Sequence, residues 1–394
     1  MKTKVLVYAH AFAPNVGGVE TVVMSLAKGL ARMSAVDGDG SVAVTVATPT
    51  PRGGFNDESL PCAVVRQPSL GQLVALIRYA DIIHIAGPCF FPLLVGLILR
   101  KHIVVEHHGF QTICPNGQLL HVPSGMPCVG HFMAGRHLEC FRCNAEEGRL
   151  KSLKMVLQTS PRRWLCERVA SNVTPTDWLA TVLQLPRMTT IHHGVPADGK
   201  IEGLPAQTSP STFGFIGRLV STKGVHILLP AIQQLASRGL DFRLEIIGDG
   251  PERAALAAQA QALGLADKVE FLGHLPEEKV DEHLAGWTAV VMPSLGGEVF
   301  GMVAVESMFR GKPVVVSDLG ALVEVTGEGG RAFASGDSNA LAECLERILN
   351  SPAAAALQGQ DARKRARLHF SEDRMMSEHL AVYQRLVAGG DSAC

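Results

Sequence analysis

The stretch Met292-Pro-Ser-Leu-Gly-Gly-Glu298-Val-Phe-Gly-Met-Val-Ala-Val-Glu306 joins an apolar strand end, a glycine-rich turn and the start of an apolar helix. The main-chain N–H groups at such a helix start, around Phe300 and Gly301, have no intrahelical partner and can bind a phosphate. Glu306 is surrounded by apolar residues, and an ionised carboxylate in that setting needs donors, either ligand hydroxyls or the N–H groups of a neighbouring loop that it caps. The stretch therefore predicts a binding site for a ligand that carries both phosphate and hydroxyl groups.

Short apolar strands alternate with amphipathic helices on both sides of this stretch. Predicted strands are 4–9, 42–47, 82–85, 103–106, 171–174, 189–192, 213–216, 244–247, 269–272, 289–292 and 314–316. Predicted helices are 20–34, 73–80, 91–99, 224–238, 252–263, 276–284, 303–310 and 339–350. This α/β alternation predicts parallel sheets with helices on both faces, and a chain of 394 residues is long enough for two such domains.

Composition divides the chain into two halves of different character. Apolar residues make up 47% and charged residues 19%, which excludes a disordered chain, and a net charge of −1 gives no reason to expect nucleic acid as a partner. Residues 1–197 hold 18 basic and 12 acidic residues, so their net charge is +6, whereas residues 198–394 hold 18 and 25, so theirs is −7. The first half also has ten of the fifteen His and seven of the nine Cys. We expect two domains with different roles.

The apolar segments are too short for targeting or membrane spanning. The run that follows Lys4 is shorter than a signal sequence requires and is predicted to be a buried strand. The longest apolar stretch, 90–99, has about half of the roughly 20 residues that a spanning helix needs, so we predict a core helix. The expected location is the cytoplasm, where thiols stay reduced, with a peripheral position at the inner membrane face as the alternative.

Candidate functional residues follow the predicted strands, where open parallel sheets bind their ligands. Gly17 and Gly18 precede the first helix and either admit a close ligand or form a plain tight turn. His108 ends a strand and is either a proton-exchanging group or a core-edge histidine that the backbone satisfies. Arg218 and Lys223 lie on a strand-to-helix loop and are either a diphosphate clamp or solvated cations.

Together these motifs resemble the retaining nucleotide-sugar glycosyltransferases of family 4. The resemblance rests on the Glu-x7-Glu segment and on the ordered set Gly17-Gly18-Val19-Glu20, His108-Gly109, Gly217-Arg218, Lys223-Gly224 and Gly248-Asp-Gly-Pro251. It implies the GT-B fold, in which two Rossmann-like domains face each other across a cleft. The implied division is an acceptor-side domain at 1–197, a linker at 198–211, a nucleotide-sugar domain at 212–368, and a helix at 369–394 that crosses back to the first domain.

The resemblance also implies roles for individual residues. Arg218 and Lys223 would hold the donor diphosphate, together with main-chain groups of Gly17, Gly18, Val299, Phe300 and Gly301. Glu306 would accept the ribose hydroxyls, and Glu298 would contact the donor sugar. His108, with His107 as the alternative, would lie at the reacting centre. The implied reaction is same-face, metal-independent transfer to a hydroxyl of a glycan, glycolipid or small molecule. One departure is His193, because the family commonly has Asn before this Gly-Val pair.

Two further features concern metals. Cys114, Cys128, Cys140 and Cys143 lie in a predicted insertion at about 110–148, and their spacing is compatible with structural zinc, packed thiols, disulfides or an Fe–S centre. The segment Asp37-Gly-Asp39 matches the Asp-x-Asp of a metal-dependent transferase fold but is predicted to be a solvated turn between a helix and a strand. No cofactor is therefore expected for catalysis, and zinc is one structural option.

The basic segment after the insertion is compatible with more than one kind of acceptor. Residues 149–168 combine Lys and Arg with Leu, Val and Trp, which suits an anionic membrane surface, a charged or lipid-linked acceptor, or a plain solvated helix face. Alternative functions are a sugar-nucleotide epimerase, a silent nucleotide-sugar binding protein, and a dinucleotide oxidoreductase. The last would need a Gly-x-Gly-x-x-Gly motif after a first strand, which neither half has.

Overall fold

The computed structural model describes residues 2–15, 17–36, 42–196 and 210–390, which form two compact units. Unit 1 comprises residues 1–117, 130–194 and 371–394, and unit 2 comprises residues 118–129 and 195–370. The units thus divide close to the predicted positions 197 and 369, with one difference. Residues 118–129, predicted as part of an insertion in the first domain, belong to unit 2. Residues 198–209 of the predicted linker and the Asp37-Gly-Asp39 turn lie outside the described residues.

The first half of the chain alternates strands and helices. The elements up to residue 106 are β1 (Thr3–Ala9), α1 (Gly18–Val36), β2 (Val42–Thr48), β3 (Ala63–Arg66), α2 (Leu70–Tyr79), β4 (Ile82–Ala86), α3 (Phe90–Ile98) and β5 (His102–Glu106). A small antiparallel pair follows in the unit 2 segment, β6 (Leu120–His121) and β7 (Met126–Pro127). Unit 1 then continues with α4 (His137–Cys143), α5 (Arg149–Cys166), β8 (Ser171–Thr174), α6 (Asp177–Leu183) and β9 (Met188–Thr190).

The second half repeats this pattern. Its elements are β10 (Ser211–Ile216), α7 (Val225–Ser237), β11 (Phe242–Ile247), α8 (Arg253–Ala262), β12 (Val269–Gly273), α9 (Glu277–Gly286), β13 (Ala289–Met292), α10 (Met302–Phe309), β14 (Val314–Ser317), α11 (Gly320–Thr326), β15 (Gly330–Phe333), α12 (Ser338–Asn350), α13 (Pro352–His369) and α14 (Glu372–Gly390). Helix α14 belongs to unit 1, so the chain returns to its first unit at its end.

Each unit is built on one parallel sheet. The strand order is β3-β2-β1-β4-β5-β8-β9 in unit 1 and β12-β11-β10-β13-β14-β15 in unit 2. Both orders start in the middle of the sheet, run to one edge and then resume on the other side of the first strand, which is the doubly wound arrangement. Its ligand crevice lies where the order reverses, beyond the carboxyl ends of β1 and β4 in unit 1 and of β10 and β13 in unit 2.

Both faces of these sheets are covered, which explains the continuous apolar strands. In β13, Val291 packs into one core with Phe213 and Phe215, and Val290 packs into the core on the opposite face with Val314. All four residues of β13 are buried. Because successive strand residues point to opposite faces, a strand between two helical layers needs apolar residues at every position.

The apolar helix α3 differs from the prediction of a core helix. Phe90, Leu94 and Ile98 expose 43%, 36% and 69% of their surface, although Leu93 on the other face is buried. Helix α3 therefore has one apolar face inside the unit and a second apolar face outside it. No helix among the described residues combines the length and the apolar character that crossing a bilayer requires.

Candidate active site

Two loops meet at the crevice of unit 2. The loop after β10 carries Arg218 and Lys223, and the loop after β13 carries Glu298. Since β10 and β13 pair directly in the sheet, their following loops leave side by side. The N–H of Leu295 donates to the carbonyl of Thr222 at 2.8 Å, which joins the two loops. Residues that are far apart in sequence thus form one site.

Gly224 makes this contact between loops possible. It caps the start of α7 with φ +69°, a left-handed conformation that favours glycine. A Cβ atom at this position would lie 1.8 Å from the carbonyl oxygen of Pro293. Any other residue would push the loop after β13 away, so the packing of the two loops requires glycine at position 224.

Lys223 and Glu298 form an ion pair at the centre of the site. The Lys223 ammonium contacts Oε1 of Glu298, and the Ser294 hydroxyl donates to the same oxygen at 3.2 Å. The Glu298 side chain is 9% exposed and that of Lys223 is 30% exposed, so the cation is the more accessible partner. Arg218 is exposed, and no ion pair recorded among the described residues includes it. The site therefore offers one exposed cation and one cation that is held by a carboxylate.

The helix start at Gly301 presents its main chain. Gly301 has φ +94° and caps α10, and its carbonyl accepts from Ala304 at 2.9 Å. The side chains of Val299 and Phe300 are buried, and the Phe300 ring meets Phe370 edge-on at 5.5 Å between centroids. Phe300 belongs to the core of unit 2, so its ring supports the turn and does not face a ligand.

Glu306 is a partly buried carboxyl in the second turn of α10. Burial raises its pKa from the ordinary 4.5 to about 7; Arg310 opposes this shift, and the acidic groups of Glu277 and Asp281 add to it. Arg310 is already engaged, since it pairs with Asp281 and donates to the Glu306 carbonyl at 2.9 Å. No hydrogen bond recorded for the described chain reaches the Glu306 carboxylate. A ligand hydroxyl would supply the donor that the ionised form lacks.

Residues 118–129 pack beside the Glu298 loop, which was not foreseen from the sequence. The N–H of Gly297 donates to the carbonyl of Gln118 at 2.6 Å. A Cβ atom on Gly296 would lie 2.9 Å from that same carbonyl oxygen and 3.1 Å from the Cβ of Leu120. The paired glycines before Glu298 thus make room for this segment, and part of the predicted cysteine-rich insertion supports the site in unit 2.

In unit 1, His108 follows β5 and belongs to a cluster around Glu106. The Glu106 side chain is fully buried, and its Oε2 lies 3.0 Å from Nε2 of His84 and 3.5 Å from Nε2 of His108. Its Oε1 lies 3.5 Å from Nδ1 of His193, and the His193 ring stacks on His108 at 5.3 Å. His193, which departs from the pattern that the sequence resembles, therefore stacks on the candidate catalytic histidine.

Helix α14 completes this cluster. The Tyr383 hydroxyl lies 2.9 Å from Nδ1 of His84, and Nε2 of His379 lies 3.9 Å from Oε1 of Glu106. The His379 ring is fixed because its Nδ1–H donates to the Met375 carbonyl at 2.8 Å. The returning helix thus contributes two buried polar groups that sequence reasoning missed. Glu106 itself was a signal, since it is a charged residue in an otherwise apolar strand.

Burial and mutual contacts shift the pKa values of the groups in this cluster. Burial by itself would raise the pKa of Glu106, but the charge of His108, the hydrogen bond of His84 and the charge of His379 hold it well below the ordinary value. Burial lowers the pKa of His193 to about 3. The cluster therefore keeps a permanent carboxylate beside histidines at neutral pH.

His107 and His108 occupy different environments. His107 is fully buried, its Nε2 lies 2.9 Å from Oδ1 of Asn172, and burial lowers its pKa to about 4. His107 is therefore a core histidine. The side chain of His108 retains 5% exposure at the carboxyl end of β5. Of the two, His108 is the better candidate for contact with a ligand.

Gly17 and Gly18 lie at the start of α1 in unit 1. The Gly17 carbonyl accepts from the N–H of Thr21 at 3.0 Å and from its hydroxyl at 2.9 Å, as expected for a helix N-terminus. Gly18 is exposed. Gly17, Gly18, His107 and His108 thus belong to unit 1, and the other predicted catalytic and donor-binding residues belong to unit 2.

The predicted cysteine cluster is divided between the units. Cys114, Cys140 and Cys143 lie in unit 1 and Cys128 lies in unit 2. Within the described ranges, no group of three or more candidate metal ligands within 4.8 Å of one another contains a cysteine. Zinc, packed thiols and the other options stay predictions. Metal analysis of untagged protein distinguishes them, because less than about a tenth of an equivalent of zinc or iron would exclude a metal staple.

Comparison with solved structures defines the class of fold. Alr3699/HepE from Anabaena, solved in complex with UDP and in complex with UDP-glucose, superposes with a TM-score of 0.70 in the UDP complex. That comparison covers 97% of this chain and 100% of the other at 21% identity. The two doubly wound units therefore define a GT-B glycosyltransferase fold.

Comparison of sequences defines the family. The family model "Glycosyl transferases group 1" matches residues 199–365. The 2-deoxystreptamine glucosyltransferase of Streptomyces kanamyceticus is 30% identical over 59% of this chain and 64% of its own length. The lipopolysaccharide core biosynthesis mannosyltransferase LpcC of Rhizobium leguminosarum bv. viciae is 30% identical over 59% of this chain and 70% of its own length. The chain belongs to the group 1 glycosyltransferases, a family of enzymes, and matches about two thirds of the length of these two relatives.

Proposed function

We propose that this enzyme transfers a sugar from a nucleoside-diphosphate sugar to a hydroxyl acceptor with retention of the anomeric configuration. The observation that carries the proposal is the meeting of Lys223 and Glu298 at the crevice of unit 2. There the loop that carries the exposed Arg218 and the ion-paired Lys223 meets the loop that carries Glu298 and leads into α10. A diphosphate needs the cations and N–H groups, and a sugar needs the carboxylate.

The proposed donor follows from this arrangement and from the relatives. Arg218 and Lys223 would hold the diphosphate with the main chain at Val299–Gly301, and Glu306 would accept the ribose hydroxyls. Glu298 would exchange its bond to Lys223 for donor sugar hydroxyls when the diphosphate takes the lysine. The complexes of the Anabaena protein with UDP and UDP-glucose support a nucleotide-sugar donor.

The proposed chemistry needs no protein nucleophile and no metal. The bond between the anomeric carbon and the diphosphate breaks, and the acceptor oxygen bonds to the same face of that carbon. The acceptor proton passes to the departing phosphate oxygen. Arg218, Lys223 and the α10 N-terminus would stabilise the negative charge that develops on the leaving group. His108 would contact the reacting sugar, and the main chain of Gly17 and Gly18 would contact the diphosphate.

For the acceptor and the location we propose classes rather than a single molecule or site. We propose a glycan, a glycolipid or a small molecule as the hydroxyl acceptor, and a cytoplasmic enzyme of cell-envelope or polysaccharide biosynthesis. The lipopolysaccharide core assignment of the Rhizobium relative supports the envelope role. No nucleic-acid partner is proposed.

A thermal-shift panel of UDP, GDP, ADP and their sugars tests the donor assignment. A ligand present at about 100 times its Kd stabilises the folded protein by about 2.7 kcal/mol, so one nucleotide series should raise the Tm clearly above the others. A Lys223→Ala variant should lose most of this shift. No shift with any nucleotide in the wild-type protein would overturn the proposal.

Product analysis then separates the reaction from its alternatives. Incubation with the donor that binds, with EDTA present, should give slow hydrolysis or transfer to an added acceptor with the anomeric configuration retained. Epimerised nucleotide sugar would identify an epimerase instead. Binding without any product across acceptor panels would identify a silent binding protein.

A further inference from the structure

Helix α5 exposes an apolar stripe that nothing in the described chain covers. Leu150, Leu153, Leu157 and Trp164 expose 86%, 48%, 63% and 51% of their surface. Their spacing of three, four and seven residues places them on one side of the helix. On the opposite side Ser152, Thr159 and Cys166 are buried. The stripe is therefore a continuous feature of unit 1 rather than a set of scattered apolar residues.

The stripe extends beyond α5. At its C-terminal end, Trp164 lines a shallow pocket of about 330 Å³ together with Phe132, Met133 and His137. Helix α3 packs against α5 and exposes Phe90, Leu94 and Ile98 at a spacing of four residues. The pocket adds apolar surface at the end of the stripe, and the neighbouring helix α3 has exposed apolar residues of its own.

The polar part of α5 is purely basic. The helix carries Arg149, Lys151, Lys154, Arg162 and Arg163 and no Asp or Glu. Two nearby acidic residues are already engaged, since Glu147 pairs with Lys151 and Glu167 lies 3.3 Å from Arg163. Neither Arg149 nor Lys154 takes part in an ion pair recorded among the described residues. Arg149 and Lys154 thus carry positive charge on this helix that no ion pair recorded in the described ranges compensates, with Glu146 as the remaining acidic residue just before the helix.

Trp164 has the setting of a residue at a polar–apolar boundary. The Arg168 guanidinium lies 3.6 Å from the centroid of the Trp164 ring and donates to the Trp164 carbonyl at 2.7 Å. The indole is held in place while half of its surface remains exposed. Trp and Arg in this pairing suit the headgroup level of a bilayer, where an apolar ring and a cation are solvated together.

We propose that the exposed apolar face of α5 docks on an anionic lipid bilayer. A helix with Leu and Trp on one side and Lys and Arg around them lies in the plane of the interface and inserts its apolar side. Anionic headgroups neutralise the flanking cations. A second copy of the chain is a poor occupant, because a symmetric contact would bring the basic flanks together. The inference does not depend on the transferase activity.

Vesicle flotation of the full chain tests the proposal. With vesicles of about one part phosphatidylglycerol to two parts phosphatidylcholine, we expect most of the protein to float at low salt, and at least about tenfold less with phosphatidylcholine alone. Binding should fall in about 1 M NaCl, where the screening length shrinks to about 3 Å. Failure of the wild-type protein to bind the anionic vesicles would overturn the proposal.

Paired variants locate the binding face. Leu153→Glu with Leu157→Glu, and separately Lys151→Glu with Lys154→Glu, should each reduce flotation at least about tenfold, because all four side chains are exposed. The matched control is Leu357→Glu with Leu368→Glu on α13, where the two leucines are 59% and 63% exposed, and it should float like the wild type. An unchanged Tm in each variant shows that the fold is intact. Equal flotation of the α5 variants and the control would reject this face.

Fluorescence gives a second measurement that does not need charge-altering variants. Brominated phosphatidylglycerol in the vesicles should quench the tryptophan emission of the wild-type protein, and the Trp164→Phe variant should lose that quenching. The other two tryptophans serve as the unquenched background. A concentration-dependent dimer in light scattering that the Leu153→Glu, Leu157→Glu variant abolishes would instead identify a second copy as the occupant and overturn the proposal.

Discussion

Oε1 of the buried Glu106 lies 3.5 Å from Nδ1 of His193, whose ring stacks on His108. His193 is the one residue of the last turn of unit 1 that departs from the pattern the sequence resembles. The imidazole at 193 thus contacts both the carboxylate and the ring of the histidine proposed to meet the substrate.

We expect the stability of the protein to fall as the pH drops below about 6.5. His193 and His107 have pKa values of about 3 and 4 in the folded state, against 6.5 for an ordinary histidine. The unfolded chain therefore binds more protons than the folded chain between these values, and acid favours unfolding. For His193 the effect amounts to at most about 5 kcal/mol.

Urea unfolding at a series of pH values measures this effect. The His193→Asn variant should show a shallower decline of the unfolding free energy between about pH 6.5 and 4, because only the wild-type protein has this buried neutral imidazole to protonate. Glu106 adds stability that is lost only at still lower pH, as its own depressed pKa is approached. Parallel pH profiles for variant and wild type would contradict the assignment.

Loss of either proposed phosphate cation should slow turnover. We expect Lys223→Ala and Arg218→Ala each to lower kcat at least about 10²-fold, because a well-placed donor to the leaving group is worth roughly 3–4 kcal/mol in the transition state. Lys279→Ala and Arg238→Ala remove exposed cations of unit 2 and should leave kcat near normal. Near-normal kcat in both site variants would remove the basis of the proposed mechanism.

Nucleotide binding should depend on the ionisation of Glu306. Its pKa is about 7, and only the carboxylate form can accept from both ribose hydroxyls, so affinity should weaken as the pH falls through 7. Calorimetry with the nucleotide that binds, between about pH 8 and 6, measures this dependence. The Glu306→Gln variant should bind more weakly at pH 8, and its profile should lack the component due to this carboxyl. Identical profiles for the two proteins would exclude the role.

Glu298 should affect sugar transfer more than nucleotide binding. In Glu298→Gln, the amide oxygen can still accept from Ser294, but Lys223 loses its ionic partner. We expect UDP or its equivalent to bind at least as tightly, because the lysine no longer has to leave a carboxylate, and kcat to fall at least about tenfold. A variant that loses nucleotide affinity but keeps kcat would reverse the proposed division of roles.

The sequence pattern predicted the α/β architecture well for a clear reason. Strands such as β13 are buried on both faces and so are apolar throughout, a signal that needs no tertiary information. The edge strand β3 and the surface helix α13 have weaker hydrophobic patterns in the sequence. Strand β3 has no fully buried residue, and α13 spreads its charges around the helix, so neither has a strong periodicity.

The candidate site was predictable only in part. Lys223 and Glu298 were found because each follows a strand, although their pairing depends on the neighbouring positions of β10 and β13. The support of the Gly296-Gly297 turn by Gln118 was not predictable, because those residues are 178 positions or more apart and no local pattern links them.

The sequence by itself determined the two doubly wound units, the family, and the residue types at the strand ends, because local periodicity and short motifs record them directly. Only the tertiary structure decided which of those residues meet. It brought Lys223 to Glu298, surrounded Glu106 with histidines from four parts of unit 1, and left the apolar side of α5 uncovered. Such outcomes depend on strand order and helix packing, which join segments that are distant in the chain and leave no trace in any single stretch of it.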